Sequence, residues 1–175
     1  MADFLSIEAQ GSRELREYLL DAVRRLESPR VLLQTIGARL ESSIQRRFDT
    51  KTDPEGKPWA PLAASTREQY DRADTSKRGP RRGEVARRGT LLERTRQMRQ
   101  SLTSTVGDDQ VEVGMTRVTD DGKWQVPLLH EFGTDRGLPR RGIFFADPEA
   151  GTLGAQDDAD IQADVLDFLD DVFGA

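Results

Sequence analysis

Phe48-Asp49-Thr50-Lys51-Thr52-Asp53-Pro54-Glu55-Gly56-Lys57-Pro58-Trp59-Ala60-Pro61-Leu62 is the stretch that divides this chain. An apolar-periodic, helical segment ends at Phe48. Asp53-Pro54-Glu55-Gly56 then reads as a turn, with Pro at the second position and Gly at the fourth. Pro58 and Pro61 fix their own φ and push the residues before them, Lys57 and Ala60, out of the helical region. Trp59 therefore sits on a stiff, non-helical arm. Such an arm presents an aromatic ring at a set place, either to its own core or to a partner, and it carries no catalytic pattern.

Upstream of the arm, Phe4-Leu5-Ser6-Ile7-Glu8-Ala9 alternates as a short strand does. Gly11-Ser12 punctuates, and Ser12 can cap a helix. Leu15, Tyr18, Leu19, Ala22, Val23 and Leu26 recur at helical spacing. Ser28-Pro29 marks a second helix start, striped by Leu32, Leu33, Ile36, Leu40, Ile44 and Phe48. The tight connection predicts a helical hairpin or one kinked helix.

Downstream, residues 65–89 are rich in Arg, Gly, Asp, Ser and Thr and hold almost no apolar periodicity, so a long mobile loop is predicted there. Leu91, Leu92, Thr95, Met98 and Leu102 suggest a short amphipathic helix. Leu102 to Val106 and Gln110 to Met115 read as two strands around Gly107-Asp108-Asp109, with Val111 and Val113 on one face. Thr119-Asp120-Asp121-Gly122 is another turn. A short helix or irregular segment begins near Pro127, a loop runs from Gly133 to Gly142, and Ile143-Phe144-Phe145 reads as a strand. Asp157 or Asp158 can cap a last helix striped by Ile161, Val165, Phe168, Leu169 and Val172. Its many aspartates are poor helix formers, so packing must stabilise it. The elements add up to one α+β domain over residues 1–175. N-terminal helices and a C-terminal helix pack on a small, mainly antiparallel sheet, with the long basic loop beside them.

The chain has 175 residues, long enough for a core, but 35% are hydrophobic and 33% charged. That is lean for a compact monomer and points to extended segments or to surface completed by other chains. No window approaches a membrane span. The start, Met1-Ala2-Asp3-Phe4, lacks the basic residues and apolar run of a signal peptide. With no cysteine, disulfides, thiolate metal sites and cysteine nucleophiles are excluded. The net charge of −5 hides an asymmetry. Arg67 to Arg99 holds 11 basic and 5 acidic residues, whereas Asp147 to Ala175 holds 9 acidic and no basic ones. Such blocks can meet within a chain or between copies of it.

The arm and four later motifs, taken in order, resemble the phage virion morphogenesis family, the Mu-like tail-completion or neck proteins. The turn Asp53-Pro54-Glu55-Gly56-Lys57-Pro58-Trp59-Ala60-Pro61-Leu62 comes first, then Leu91-Leu92-Glu93-Arg94-Thr95-Arg96-Gln97-Met98-Arg99-Gln100-Ser101-Leu102. Val111-Glu112-Val113-Gly114, His130-Glu131-Phe132-Gly133 and Leu138-Pro139-Arg140-Arg141, reaching Phe144-Phe145, complete the set. Two positions depart from the pattern. Arg96 stands where a Gly usually follows the Thr, which bears against a tight turn before residue 97. Pro139-Arg140-Arg141-Gly142-Ile143-Phe144 breaks the usual Pro-x-Arg-Pro-Phe run. The resemblance implies a non-enzymatic structural virion protein made in the host cytoplasm. It implies late assembly at the neck or tail, completing the tail or joining head to tail. The implied partners are other copies of the chain in a ring, with a hexamer as the expected order, and the head–tail connector and tail terminator or tail tube proteins. No cofactor, metal or membrane is implied.

Candidate intersubunit or partner contacts are Trp59, Leu62, Arg78, Arg81, Arg82, His130 and Phe132. Trp59 and Trp124 can each serve the core or an interface. Two other readings stand beside the assembly reading. Arg78, Arg81, Arg82, Arg87 and Arg88 could contact phosphates, which suits a DNA-binding accessory protein of head assembly or packaging. With only Tyr70 nearby as a stacking ring, contact with genome DNA would be non-specific. His130, the one histidine, lies beside Glu131 and could suggest a hydrolase. No second His, Cys or paired Ser motif supports that, so a packed or hydrogen-bonding histidine is the structural alternative. The C-terminal aspartates lack the Gly-centred ligand order of a calcium loop and read as a solvated acidic face. No Lys-Ser/Thr phosphate loop occurs.

Overall fold

A computed structural model describes residues 12–27, 29–75, 91–93 and 95–173. The expected strand over Phe4 to Ala9, Ser28 and the segment carrying Arg78, Arg81, Arg82, Arg87 and Arg88 lie outside the described residues. Among the described residues, six helices and one two-stranded sheet follow in order: α1 (Ser12–Glu27), α2 (Arg30–Thr50), α3 (Ala64–Thr75), α4 (Gln97–Gln100), β1 (Leu102–Val106), β2 (Val111–Met115), α5 (Val126–Phe132) and α6 (Ala155–Phe173). The fold is α+β, as the sequence predicts. None of these helices is long and apolar enough to cross a membrane.

Helix α2 is the spine. Its apolar positions Ile44 and Phe48 are buried, and they meet Trp59, Leu91, Met98, Met115 and Ile143 in the core. The antiparallel hairpin of β1 and β2 lies against α2, in the register Leu102↔Met115 to Val106↔Val111. Gly37 allows that approach: a Cβ there would stand 3.1 Å from the Val111 side chain and 3.2 Å from Ser104. The hairpin loop closes with Gly107 N–H donating to Gln110 O at 2.8 Å. Alternation places Val111 and Val113 inward and Glu112 outward, as expected.

Helix α6 runs along α2 and is fixed by ion pairs rather than by an apolar stripe alone. Arg47, 5% exposed, pairs with Asp157, 3% exposed, and also donates to Ile143 O. Ser43 Oγ donates to the same carboxylate at 2.6 Å. Two turns further along α6, two guanidinium nitrogens of Arg39 engage Asp164, itself 6% exposed. This corrects the reading of the C-terminal aspartates as a solvated face. Asp157 and Asp164 face inward, because a buried carboxylate is tolerable when a fork of N–H donors satisfies it. Neither Asp157 nor Asp158 is outside the helix as a cap; both lie in its first turn. At the other end of α6, the Tyr18 hydroxyl of α1 donates to Phe173 O at 2.8 Å.

Three further expectations are corrected. Residues 65–75, expected as loop, form most of α3. Its sequence is nearly all polar, so no apolar period marks it, but Ala, Arg, Glu and Gln favour helix in any case. The helix expected from Leu91 to Leu102 shrinks to the single turn of α4, because Leu92 (φ 62°) and Arg96 (φ 58°) are left-handed and break it. Arg96 thus makes the tight turn that its side chain argued against. Ile143-Phe144-Phe145 does not form a strand. Its N–H groups are claimed by a side chain instead, as described next.

Candidate functional site: a clasp and an adjoining groove

The arm after α2 folds back as a small hairpin. Lys51, left-handed at φ 60°, ends the helix, and its N–H reaches Arg47 O at 2.7 Å. Asp53 N–H donates to Lys57 O, Gly56 N–H to Asp53 O and Trp59 N–H to Lys51 O. Asp53 Oδ1 also accepts the N–H groups of Glu55 and Lys57, each at 2.9 Å. The turn read from Asp53-Pro54-Glu55-Gly56 is therefore present. It delivers Trp59 edge-on to Phe48, with ring centroids 5.4 Å apart and an interplanar angle of 77°. Trp59 is 6% exposed, and its indole N–H donates to Gly142 O at 2.9 Å. Trp124 is the contrary case, 61% exposed.

Gly142 belongs to the segment that the second motif holds. Helix α5 opens with Pro127 in its first turn, as predicted, and ends at Gly133, whose φ is 76°. A Cβ on Gly133 would stand 2.9 Å from Leu138 O. Within α5, Glu131 is 1% exposed. Its Oε2 accepts the N–H groups of Ile143 (2.6 Å) and Phe144 (3.0 Å), and its Oε1 that of Phe145 (3.0 Å). One carboxylate thus takes the donors that a strand would have offered to a neighbour, which is why no strand forms.

His130 projects elsewhere, as adjacent helical residues must. Its carbonyl accepts the Arg141 N–H at 2.7 Å. The Arg141 guanidinium lies 3.5 Å from His130 Nδ1. A guanidinium can only donate, so Nδ1 is the acceptor and the ring is neutral. Burial, reinforced by the Arg141 charge, lowers its pKa from 6.5 to about 4. Arg141, 3% exposed, also reaches back to the arm, donating to Ala60 O (2.8 Å) and Pro61 O (3.0 Å). Arg140 donates to Glu131 O, Phe145 O and Ala146 O. The two arginines and Glu131 clasp three stretches of backbone together. From the sequence, His130 stands as a candidate contact, Glu131 only as its neighbour in the hydrolase alternative, and Arg140 and Arg141 only as part of a motif. The signal for them was the pairing of a helix-borne acid with a downstream Arg-Arg.

A second ionic cluster fixes the segment before α4. Glu93, 6% exposed, accepts from Lys51 Nζ (2.6 Å) and Arg99 (3.0 Å), and Arg99 also forks onto Asp49. Burial alone would raise Glu93, but the Lys51 and Arg99 hydrogen bonds hold it below its ordinary pKa.

Between these clusters lies a groove of about 470 Å³ lined by Leu62, Leu92, Met98, Val126, His130 and Leu138 among others. Of the sequence-predicted contacts, it brings Leu62 and His130 together. Phe132 lies on the outer face of α5, 53% exposed, with Leu128 at 48%. Trp59 is in the core, and Arg78, Arg81 and Arg82 are outside the described residues.

Residues 11–140 match the phage virion morphogenesis family. The match spans the arm, the α4 turn, the hairpin and the His130-Glu131-Phe132-Gly133 motif. The chain belongs to the phage virion morphogenesis family. No curated protein and no solved structure matches it. Family membership makes this a virion-associated protein of phage assembly. The His130-Glu131-Phe132-Gly133 motif and the Arg140-Arg141 pair are, in this chain, the two halves of the clasp.

Proposed function

We propose that this protein is a non-enzymatic structural component of the phage neck or tail, acting late to complete the tail or to join it to the head as a ring of identical copies. The observation that carries the reading is the use to which the family motifs are put. Glu131, Arg140, Arg141 and Trp59 all hold backbone, and each has its polar groups turned to the chain's own carbonyls or amides. His130 and Glu131 do not form an acid–base pair, because their side chains engage different partners. A scaffold held by such fasteners suits a part that must keep its shape under mechanical load between neighbours. The lean apolar composition and segregated charges support assembly with further copies, since a heterologous interface that closes gives a ring. Partners on either side would be connector and tail terminator or tail tube proteins. The DNA-binding alternative is carried by arginines outside the described residues, and no contact of the described residues favours it.

The test is electron microscopy of a lysate from a phage carrying a nonsense mutation in this gene. Full heads beside unattached or over-long tails are expected. Normal joined virions would overturn the reading, and empty or aberrant heads would move the role to capsid assembly.

A further inference from the structure

Two surfaces of this chain are complementary to each other and do not meet within one copy. The first is the groove beside His130. Its floor is apolar, with Leu62, Met98 and Leu138, and three arginines line it, Arg117, Arg136 and Arg141. Among the described residues no carboxylate lines it. Among the described residues, Arg117 pairs with Asp120, three residues away, whose side chain is 96% exposed. Such a pair is weak and readily exchanged. A groove with this lining selects an apolar ridge flanked by acids.

The second surface is the outer face of α6. The helix holds seven aspartates and no basic residue. Leu166 and Phe173, seven positions apart and hence on one face, are 62% and 49% exposed. Exposed Asp167 and Asp170 flank them, and Asp157, Asp164 and Asp171 are the members of the helix that pair with Arg47, Arg39 and Arg25. The face is therefore an apolar ridge with acidic flanks.

No residue of α6 lines the groove, and Leu166 and Phe173 stay exposed, so the match is intermolecular. Asp157 opens α6 against Arg47, which in turn bonds Ile143 beside Glu131 and the clasp. Phe173 lies sixteen residues further along α6, roughly 24 Å away, where it meets Tyr18 of α1. We propose that the outer face of α6 in one copy docks in the His130 groove of the next, with Leu166 and Phe173 as anchors and Asp167 and Asp170 set against Arg117 and Arg136. The contact joins two different patches, so it is heterologous and propagates around a ring. It deepens the ring reading above and rests on it.

Cross-linking tests it directly, since the chain has no cysteine. Thr66 lines the groove, and Ala163 is exposed on α6 one turn before Leu166. Thr66→Cys and Ala163→Cys chains, treated with a short bismaleimide, are expected to give a covalent dimer only when mixed. The double variant is expected to give a ladder ending at the ring's copy number. In parallel, Arg136→Glu is expected to weaken self-association by roughly fivefold to tenfold, with Asp170→Arg in the same chain restoring it. Dimers from one single variant alone would mean a two-fold contact and overturn the inference. No cross-link while light scattering shows the wild type oligomeric would overturn it and leave the ring reading standing. A wild type that stays monomeric at every concentration would overturn the ring reading itself.

Discussion

Glu131 Oε2 stands 2.6 Å from the backbone nitrogen of Ile143, and both residues are buried to 1% exposure or less. A side chain on one short helix thereby sets the backbone of a segment twelve residues away. That segment carries Gly142, whose carbonyl receives the Trp59 indole, and Ile143, whose carbonyl receives Arg47. The core, the arm and α6 are all referenced to this one carboxylate.

Glu131→Ala strands one buried and two part-buried N–H groups and is expected to destabilise the fold by on the order of 4 kcal/mol, or to prevent folding. Glu131→Gln keeps the shape but replaces one acceptor oxygen with a donor, so a smaller loss is expected. Urea denaturation of the three proteins checks the order. A Glu131→Gln variant weaker than Glu131→Ala would contradict the clasp.

Arg96 is left-handed at φ 58°, and its Nε is buried without a hydrogen-bond partner. The left-handed region costs a side-chain-bearing residue roughly 1–2 kcal/mol, part of which the entropy of a Gly would offset. Arg96→Gly is therefore expected to raise stability by about 1 kcal/mol, read as a higher melting temperature in calorimetry. A fall would show that the Arg96 side chain supplies packing that outweighs the strain.

His130 has its pKa lowered to about 4 by burial, then by Arg141. Its ordinary value, 6.5, applies when unfolded. Between those values the unfolded chain binds the extra proton, so stability rises with pH through the window. The neutral ring is fully accommodated above about pH 6.5, and acidification to about pH 4 is expected to cost on the order of 3 kcal/mol. Carboxylates such as Glu93, held below their usual range, lose their contribution at the acid end of the window and below it. The His130 share is isolated by subtracting the pH profile of His130→Gln, which is expected to be flatter between pH 6.5 and 4.5.

Gly154 precedes α6 and admits no side chain. An added Cβ would stand 2.4 Å from Pro54 O and 2.8 Å from Pro54 Cβ. Gly154→Ala must part the Asp53–Gly56 turn from the start of α6, at an expected cost of about 2 kcal/mol. Chemical denaturation measures it, and an unchanged midpoint would contradict this packing.

The local signals in the sequence were sufficient for the hairpin, the Asp53-Pro54-Glu55-Gly56 turn, the Pro127 helix start and the Ile44 and Phe48 stripe. Each depends on residues close together in the chain. The sequence did not disclose the fasteners, because Arg47 and Asp157 meet across the fold and Glu131 binds the backbone of Ile143, although polar side chains suggest solvent. The same blindness hid α3, whose polar surface has no period to detect. His130 drew notice by being the one histidine, yet the carboxylate beside it organises the site.

On the proposed function, the His130-Glu131-Phe132-Gly133 motif is architecture in an assembly protein rather than chemistry. The most direct measurement is phage titre from the nonsense mutant complemented in trans with His130→Gln, compared with wild type and with Glu131→Ala. Full titre is expected with His130→Gln and failure with Glu131→Ala. Loss of titre with a His130→Gln protein that folds and self-associates normally would contradict it.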